Sequence, residues 1–277
     1  MGTLYLVATP IGNLEDLSPR ALRILREARL IAAEDTRVTR KLLAHFDLHT
    51  PLTSYFEHNK LSKLDAILAA LAQTDVALVS DAGTPAINDP GYELVRAALA
   101  LGHQVVPIPG PSAPVAALAA SGLPTDAFLY LGYLPRKASE RRELLEKIAG
   151  LPYTLLFLEA PHRLLASLSD LESSLGDRSM AVARELTKLH EEIWRGTIAG
   201  ARAYFSEHEP RGEFTLVISG GKMSTESAWS QEEMRQAVEA GLEAGESASA
   251  LAARLASVSD WRRRDIYRLI TELGQRK

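Results

Sequence analysis

The chain opens on a short apolar run, Leu4-Tyr5-Leu6-Val7-Ala8, that stops at Thr9-Pro10-Ile11-Gly12-Asn13. That pattern predicts a strand followed by a turn. Ser18-Pro19 then starts a helix, with Ser as N-cap and Pro at the first helical position. Leu17 and Leu22 fall at the positions of a hydrophobic staple. Leu22, Leu25 and Ala28 continue the apolar face, and Leu30-Ile31-Ala32-Ala33 reads as the next strand, ending in Glu34-Asp35-Thr36-Arg37. The alternation goes on with a helix over 38–46, a strand over 52–55, a helix over 61–72, a strand over 76–79, a helix over 92–101 and a strand over 104–108. Strands alternating with helices of about ten residues imply a parallel sheet covered on both faces. Ligands bind such sheets outside the carboxyl ends of the strands, where the polar and glycine-containing stretches of this chain lie.

A second α/β set follows, with strands over 128–131, 154–158, 180–183 and 213–218 and helices over 139–148, 163–175 and 199–205. Residues 220–230 form a polar linker. Three short helical patterns without strand signal come after it, over 231–243, 247–256 and 260–273. The expected fold class is therefore α/β. It comprises an N-terminal α/β domain (1–111), a C-terminal α/β domain (112–222) and a helical, helix-turn-helix-like basic module (223–277).

An apolar fraction of 46% and a charged fraction of 24% are those of an ordinary globular protein. With only 6% aromatics, the core must be mostly aliphatic. Zero cysteines exclude disulfides, thiolate zinc sites, iron–sulfur clusters and a cysteine nucleophile. No stretch approaches the roughly 18 apolar residues of a spanning helix. The start, Met1-Gly2-Thr3-Leu4-Tyr5, lacks the basic region of a signal peptide. A cytoplasmic protein is expected. The net charge of −4 argues against a nucleic-acid partner, but its distribution argues the other way. From Arg254 to Lys277, seven basic residues against three acidic ones give +4, leaving −8 on the preceding body. An acidic body with a basic tail suggests an anionic partner met at one end, although a solvated arginine-rich helix reads the same.

The turns carry the chemistry. The first has one glycine, Gly12, where a dinucleotide site needs about three, and no phosphate-binding loop is present. A nucleotide-like ligand without phosphates, such as S-adenosylmethionine, fits that turn, as does an ordinary strand–helix junction. Asp81-Ala82-Gly83-Thr84-Pro85 directly follows a buried strand. Its aspartate can accept from ligand hydroxyls or amines, and Gly83 lets backbone approach closely. Pro109-Gly110-Pro111-Ser112-Ala113 repeats the pattern one strand later, with Ser112 placed to cap a helix.

In this order, Thr9 to Asp16, Glu34 to Arg37, Ser80 to Pro85, Pro109 to Ala113, Glu159-Ala160-Pro161-His162-Arg163 and Arg184-Glu185-Leu186-Thr187-Lys188 resemble the ribosomal RNA small-subunit methyltransferase I family. That family is a branch of the tetrapyrrole-methylase (class III) superfamily. The resemblance covers roughly residues 2–221, the tail also looks like that family's terminal module, and the chain departs from the pattern at Ala160. It implies two α/β domains with S-adenosyl-L-methionine in the cleft between them, a homodimer, and 2′-O-methylation of a cytidine ribose in the decoding region of 16S rRNA in the small ribosomal subunit. Carried over by position, the cofactor site would use Pro10, Ile11, Asp81, Gly83, Thr84, Ser112 and Ala113, completed by Phe157, Ala183 and Arg184.

Methyl transfer to a ribose hydroxyl is a direct displacement that needs alignment and removal of a proton of high pKa; a positioned base supplies roughly 10²–10⁴-fold. Asp35, Glu159 and Glu185 are the candidate base or hydroxyl-orienting groups. Arg37, Arg163, Arg184 and Lys188 are the candidate phosphate-holding groups. Capping by Asp35 beside an exposed Arg37, and a salt bridge between Glu185 and Lys188, explain the same residues without catalysis. No metal is expected, because His45 and His49 share helical spacing but lack an acidic partner set. Neither a membrane nor DNA is expected as a partner. Two other readings stay open. One is a tetrapyrrole or other small-molecule methyltransferase of the superfamily, against which stand Arg136, Lys137, Arg141, Arg142 and the basic tail. The other is a non-catalytic regulator that binds nucleic acid through the tail.

Overall fold

The computed structural model describes residues 1–221, 229–259 and 261–274. By their contacts these fall into two compact units, Met1–Ala149 with Tyr153–Gly220, and Gly150–Pro152 with Gly221–Lys277. The polar linker expected over 220–230 and the module boundary at 222/223 lie largely outside the described residues.

The first unit begins with β1 (Thr3–Val7), α1 (Pro19–Glu27), β2 (Leu30–Ala33), α2 (Thr36–His45), β3 (Leu52–Ser54), α3 (Lys60–Leu71), β4 (Val76–Val79), α4 (Gly91–Ala100) and β5 (Gln104–Ile108). These strands form one sheet in the order β3-β2-β4-β1-β5, parallel throughout. The period of two along each strand divides the core. Ile31, Ala33, Ala77 and Val79 pack with Ile24 and Leu25 of α1 and Leu42 and Leu43 of α2. Ala32, Val76 and Leu78 pack with Ile67 and Leu71 of α3 and Leu94 and Ala98 of α4. Ser18 caps α1 through Ala21 N–H at 3.1 Å, with Pro19 at the first helical position, as the sequence predicts.

The same unit continues through α5 (Ala113–Ser121), β6 (Phe128–Tyr133), α6 (Ala138–Ile148), β7 (Thr154–Glu159), α7 (Leu164–Leu175), β8 (Ser179–Arg184), β9 (Glu192–Thr197), α8 (Ile198–Glu207) and β10 (Phe214–Ile218). The second sheet runs β6-β7-β10-β8-β9, and only the β6–β7 pair is parallel. A sheet of wholly parallel strands does not hold for this half. The strand β9 has no counterpart in the sequence reading, because Glu192-Ile193-Trp194-Arg195-Gly196-Thr197 is a polar edge strand without an apolar run. Its inward return places β10 antiparallel between β7 and β8, so the amino end of β10 shares an edge with the carboxyl ends of its neighbours.

The second unit holds α9 (Gln231–Glu243), α10 (Ala248–Val258) and α11 (Arg263–Gly274). A capping box between Ser230 and Glu233 opens α9, and Ser247 caps α10. Met234, Val238, Leu251, Leu255, Ile266 and Ile270 are buried together, and burial of each contributes roughly 1.5–3 kcal/mol. Arg262, Arg263, Arg264 and Arg268 remain exposed, on the side the amphipathic pattern assigns to them.

Candidate active site

Two turns at the carboxyl edge of the first sheet, Thr9–Asn13 after β1 and Ser80–Pro85 after β4, are joined by a two-bond bridge. Thr9 N–H donates to the Gly83 carbonyl at 2.9 Å and Gly83 N–H to the Thr9 carbonyl at 3.0 Å. Gly83 sits at φ +81°, which a side chain rarely adopts. The bridge separates two cavities of similar size. On one side is a cleft of about 180 Å³ lined by Ile11, Gly83, Thr84, Ser112 and Ala113 from the first half and by Tyr130, Leu158, Glu159, Glu213 and Thr215 from the second sheet, among others. On the other is a cavity of about 210 Å³ walled by Pro10, Leu14, Val38 and Leu42, with Lys41 and Asp81 as its charged members.

The sequence-predicted residues thus divide. Ile11, Gly83, Thr84, Ser112 and Ala113 line the cleft, whereas Pro10 and Asp81 line the neighbouring cavity. Ser112 is the N-cap residue of α5, but its hydroxyl makes no capping bond. Phe157 and Ala183 are buried in the second sheet, and Arg184 spends its guanidinium on the Arg211 carbonyl (2.8 Å) and Glu192 (3.3 Å). None of these three lines the cleft. The second half contributes Glu213, just before β10, and Phe214 and Thr215 of β10 instead. The search at carboxyl strand ends passes over them, since β10 is antiparallel and presents its amino end there; the reversed direction of β10 is the signal that finds them.

The acidic turns interlock. Asp35 N–H donates to Asp81 Oδ1 at 2.9 Å, and Asp81 N–H donates to Glu34 Oε2 at 3.1 Å. Burial raises the Glu34 carboxyl above its ordinary range, aided by the charges of Asp81, Asp89 and Asp35 against the Asp81 N–H bond. Burial also raises Asp81. Asp35 behaves oppositely: the Arg37 guanidinium, bidentate at 2.6 and 3.0 Å, and the Arg37 N–H it caps hold its carboxyl down to about 2. The side chain of Arg37 is 83% exposed, so capping and presentation to solvent coexist.

Lys188 Nζ lies 2.8 Å from Glu185 Oε1 and 3.1 Å from Glu213 Oε2. The pair is held by a strained turn, not by a helix: Glu185 and Thr187 both have positive φ, +50° and +66°. Glu185 is lowered chiefly by its bond to Lys188. Partial burial opposes the Lys188 ammonium, but its bonds to Glu185 and Glu213 outweigh that and raise its pKa. A Cβ on Gly12 would meet Lys188 Cγ, Thr187 Oγ1 at 2.8 Å and the Leu186 carbonyl at 3.0 Å. Only glycine lets the first turn approach this one.

Glu159 closes the cleft from beneath. Its side chain is fully buried, accepting from Ala160 N–H at 2.8 Å and Ser167 Oγ at 2.5 Å, with Arg163 Nε 3.3 Å away. Arg163 also donates to the Leu134 and Pro135 carbonyls at 2.5 and 3.1 Å. Arg141, one of the basic residues that the sequence set against a tetrapyrrole substrate, is buried against Asp170 and donates to the Pro135 carbonyl at 3.2 Å. Both arginines hold the loop after β6 and so are occupied within the protein.

The cleft lining fits an adenosyl sulfonium. It offers apolar surface, hydroxyls and the exposed carboxylate of Glu213, with Glu159 among its lining residues but buried, and no lysine or arginine lines it. Such a lining suits a positively charged, phosphate-free ligand and opposes a polyphosphate. Among the described residues no group of acids and histidines could hold a metal ion, and no helix is long and apolar enough to cross a membrane.

Residues 3–201 match the family model for tetrapyrrole (corrin/porphyrin) methylases. A Synechocystis protein named ribosomal RNA small subunit methyltransferase I is 50% identical over 99% of both chains. The chain belongs to the ribosomal RNA small subunit methyltransferase I family. Its Bacillus subtilis relative of the same name is 47% identical, over 83% of this chain and 80% of that one. The family's fold extends to distant solved structures. Uroporphyrin-III C-methyltransferase from Thermus thermophilus complexed with S-adenosylhomocysteine superposes with a TM-score of 0.53 at 22% identity, covering 80% of this chain and 98% of that one. Cobalt precorrin-4 methyltransferase superposes with a TM-score of 0.56 at 16% identity, covering 78% and 94%. The class III methyltransferase architecture is thus shared well beyond the RNA-named members of the family.

Proposed function

We propose that this chain is an S-adenosyl-L-methionine-dependent methyltransferase acting on the ribose 2′-oxygen of a cytidine in the decoding region of 16S rRNA. The observation that carries it is the full-length 50% identity to a protein named for small-subunit rRNA methylation, joined to a cleft whose lining suits a sulfonium and not a polyphosphate. The bound cofactor supplies an electrophilic methyl group on a positively charged sulfur. Ile11, Gly83, Thr84, Ser112 and Ala113 would hold it, and Glu213 would face its charge. Arg37 and Lys188 are the cations presented near the rim, suited to RNA phosphate. Asp35 and Glu185 hold those cations, and with their lowered pKa values they orient more than they accept protons. Glu34, raised by burial, is the better proton acceptor of the acidic turn.

The exposed arginines of α11 would grip a ribosomal helix through phosphate charge without reading sequence. A homodimer in the cytoplasm completes the proposal; it rests on the family resemblance. Labelled S-adenosyl-L-methionine offered with small subunits, naked rRNA or a porphyrinoid tests it. Label on a cytidine 2′-oxygen is the expected result, and label only on the porphyrinoid overturns it.

A further inference from the structure

A third cavity, of about 330 Å³, lies further out along the first sheet. Glu34, Asp35, Thr36 and Arg37 line it from the turn after β2, and Ser54 and Phe56 line it from the end of β3 and the turn beyond. The parallel pairing of β2 with β3 sets Ala33 beside Ser54 and so brings the two turns together. Phe56 is 36% exposed, although Tyr55 beside it is buried. Asn59 braces that turn: its Oδ1 accepts from Phe56 N–H at 2.8 Å, and its Nδ2 donates to Ser54 Oγ at 2.9 Å. It stands at the N-cap position of α3 yet makes no capping bond there, so its side chain serves the turn. Arg37 gives Nε and one terminal nitrogen to Asp35, and its other terminal nitrogen has no partner among the described residues. We propose that this cavity is a further RNA subsite. In it the base of a nucleotide adjoining the methylated one stacks on Phe56, and Arg37 meets the phosphate beside it. The inference rests on the function proposed above.

Charge alone does not hold a ligand here. A free anion would meet Glu34 and Asp35 as well as Arg37, and a purely apolar ligand would meet five polar or charged residues and one ring. A nucleotide answers both features, because it joins a flat π-face to a phosphate. Single strands are held in this way, by aromatic side chains under the bases and cations along the backbone. The two acids are already engaged, Asp35 with Arg37 and Glu34 with Asp81 N–H at 3.1 Å. Every base has a face to stack, and the hydroxyls of Thr36 and Ser54 both donate and accept. The subsite therefore holds a neighbour without choosing among the four bases. Its place suits a strand that continues past the reacting ribose, since Asp35 N–H ties this turn to Asp81 of the Ser80–Pro85 turn at 2.9 Å.

Phe56 belongs to neither core cluster of the first sheet, so replacing it spares the core. Phe56→Ala is expected to raise KM for small subunits roughly tenfold through the loss of one stacked base, while kcat and the Kd for S-adenosylhomocysteine are unchanged. Phe56→Leu keeps apolar bulk without a π-face and is expected to match the alanine variant, whereas Phe56→Tyr should match the original protein. A leucine variant as good as the original overturns stacking. Arg37→Gln should flatten the salt dependence of KM, and an unaltered slope overturns the phosphate contact. Crosslinking identifies the occupant directly. Benzoylphenylalanine in place of Phe56, irradiated with small subunits, is expected to attach to rRNA at a nucleotide adjoining the methylated cytidine. Attachment to a ribosomal protein, to a remote rRNA segment or to nothing overturns the proposal. Unaltered protein that leaves small subunits unmethylated sinks the reading of function, whereas an active protein whose Phe56→Ala variant keeps its KM sinks this subsite alone.

Discussion

Replacing Arg141 by methionine keeps much of the side-chain volume and removes the charge from a place that water barely reaches. Arg141 and Asp170 have side chains only 6% and 13% exposed. The guanidinium donates to Asp170 through both Nε and a terminal nitrogen, and to the Pro135 and Arg136 carbonyls at 3.2 and 3.4 Å. Without it, Asp170 keeps only the longer contact to Arg142 at 3.5 Å, and two loop carbonyls lose a donor. Breaking a buried pair from one side costs about 3–5 kcal/mol, because an uncompensated charge is left behind. In a unit of this size each kcal/mol moves Tm by roughly 2–4 °C, so a fall of about 6–20 °C is expected. Scanning calorimetry reads it. Adding Asp170→Leu removes the stranded charge and is expected to restore most of the lost stability, while the loop after β6 stays without its donor and kcat falls. A single-variant Tm within about 2 °C of the original would refute the burial argument. A double variant no better than the single one would place the cost in the loop carbonyls instead.

Gly12→Ala is expected to cost about 1–3 kcal/mol through overpacking and to lower kcat more than cofactor affinity, because the new methyl displaces Lys188 and the Leu186 carbonyl; normal turnover in steady-state assays would refute it. Carboxyl NMR titration should find Asp35 charged down to about pH 2 and Asp81 protonating above the ordinary aspartate range. Since the Asp35 pKa is lowered on folding, its ion pair supports the fold above the ordinary aspartate value and is lost as pH falls through about 2; Arg37→Ala should return it toward the ordinary value, and coincident titration of the two acids would contradict the structure. Changing Arg263, Arg264 and Arg268 to glutamine should raise KM for small subunits and flatten its salt dependence with cofactor affinity intact, and an unaltered salt slope would leave the arginines without an RNA role.

The elements of the first sheet follow directly from apolar runs and turn residues, since strands buried on both faces read as continuous aliphatic stretches. The core of the helical module was equally legible: Leu251, Leu255, Ile266 and Ile270 are buried as their spacing predicts. The second sheet was not, because β9 is polar and strand direction leaves no mark on local composition. From that one gap follows the site's weakest expectation: Phe157 and Ala183 belong to the core, and Glu213 stands at the cleft. Arg141 and Arg163 show the converse limit. A basic residue reads as surface until its carboxylate partner, 29 residues away for Arg141, is brought to it by the fold.

In the proposed reading, the exposed carboxylate of the cleft would bear on turnover as well as on binding. On that reading, Glu213 would face a ligand that is cationic before the reaction and neutral after it, so the wall that recruits the substrate form would have less hold on the spent one. Charges a few ångströms apart near a protein surface interact by up to about 4 kcal/mol. Glu213, exposed and already shared with Lys188, would feel only part of that. Glu213→Gln should therefore narrow the gap between affinities for S-adenosyl-L-methionine and S-adenosylhomocysteine and make the enzyme more sensitive to its own product. A cleft that loses its attraction at the moment of transfer would empty itself, and in the proposed reading Glu213 at the edge of the second sheet would set that timing.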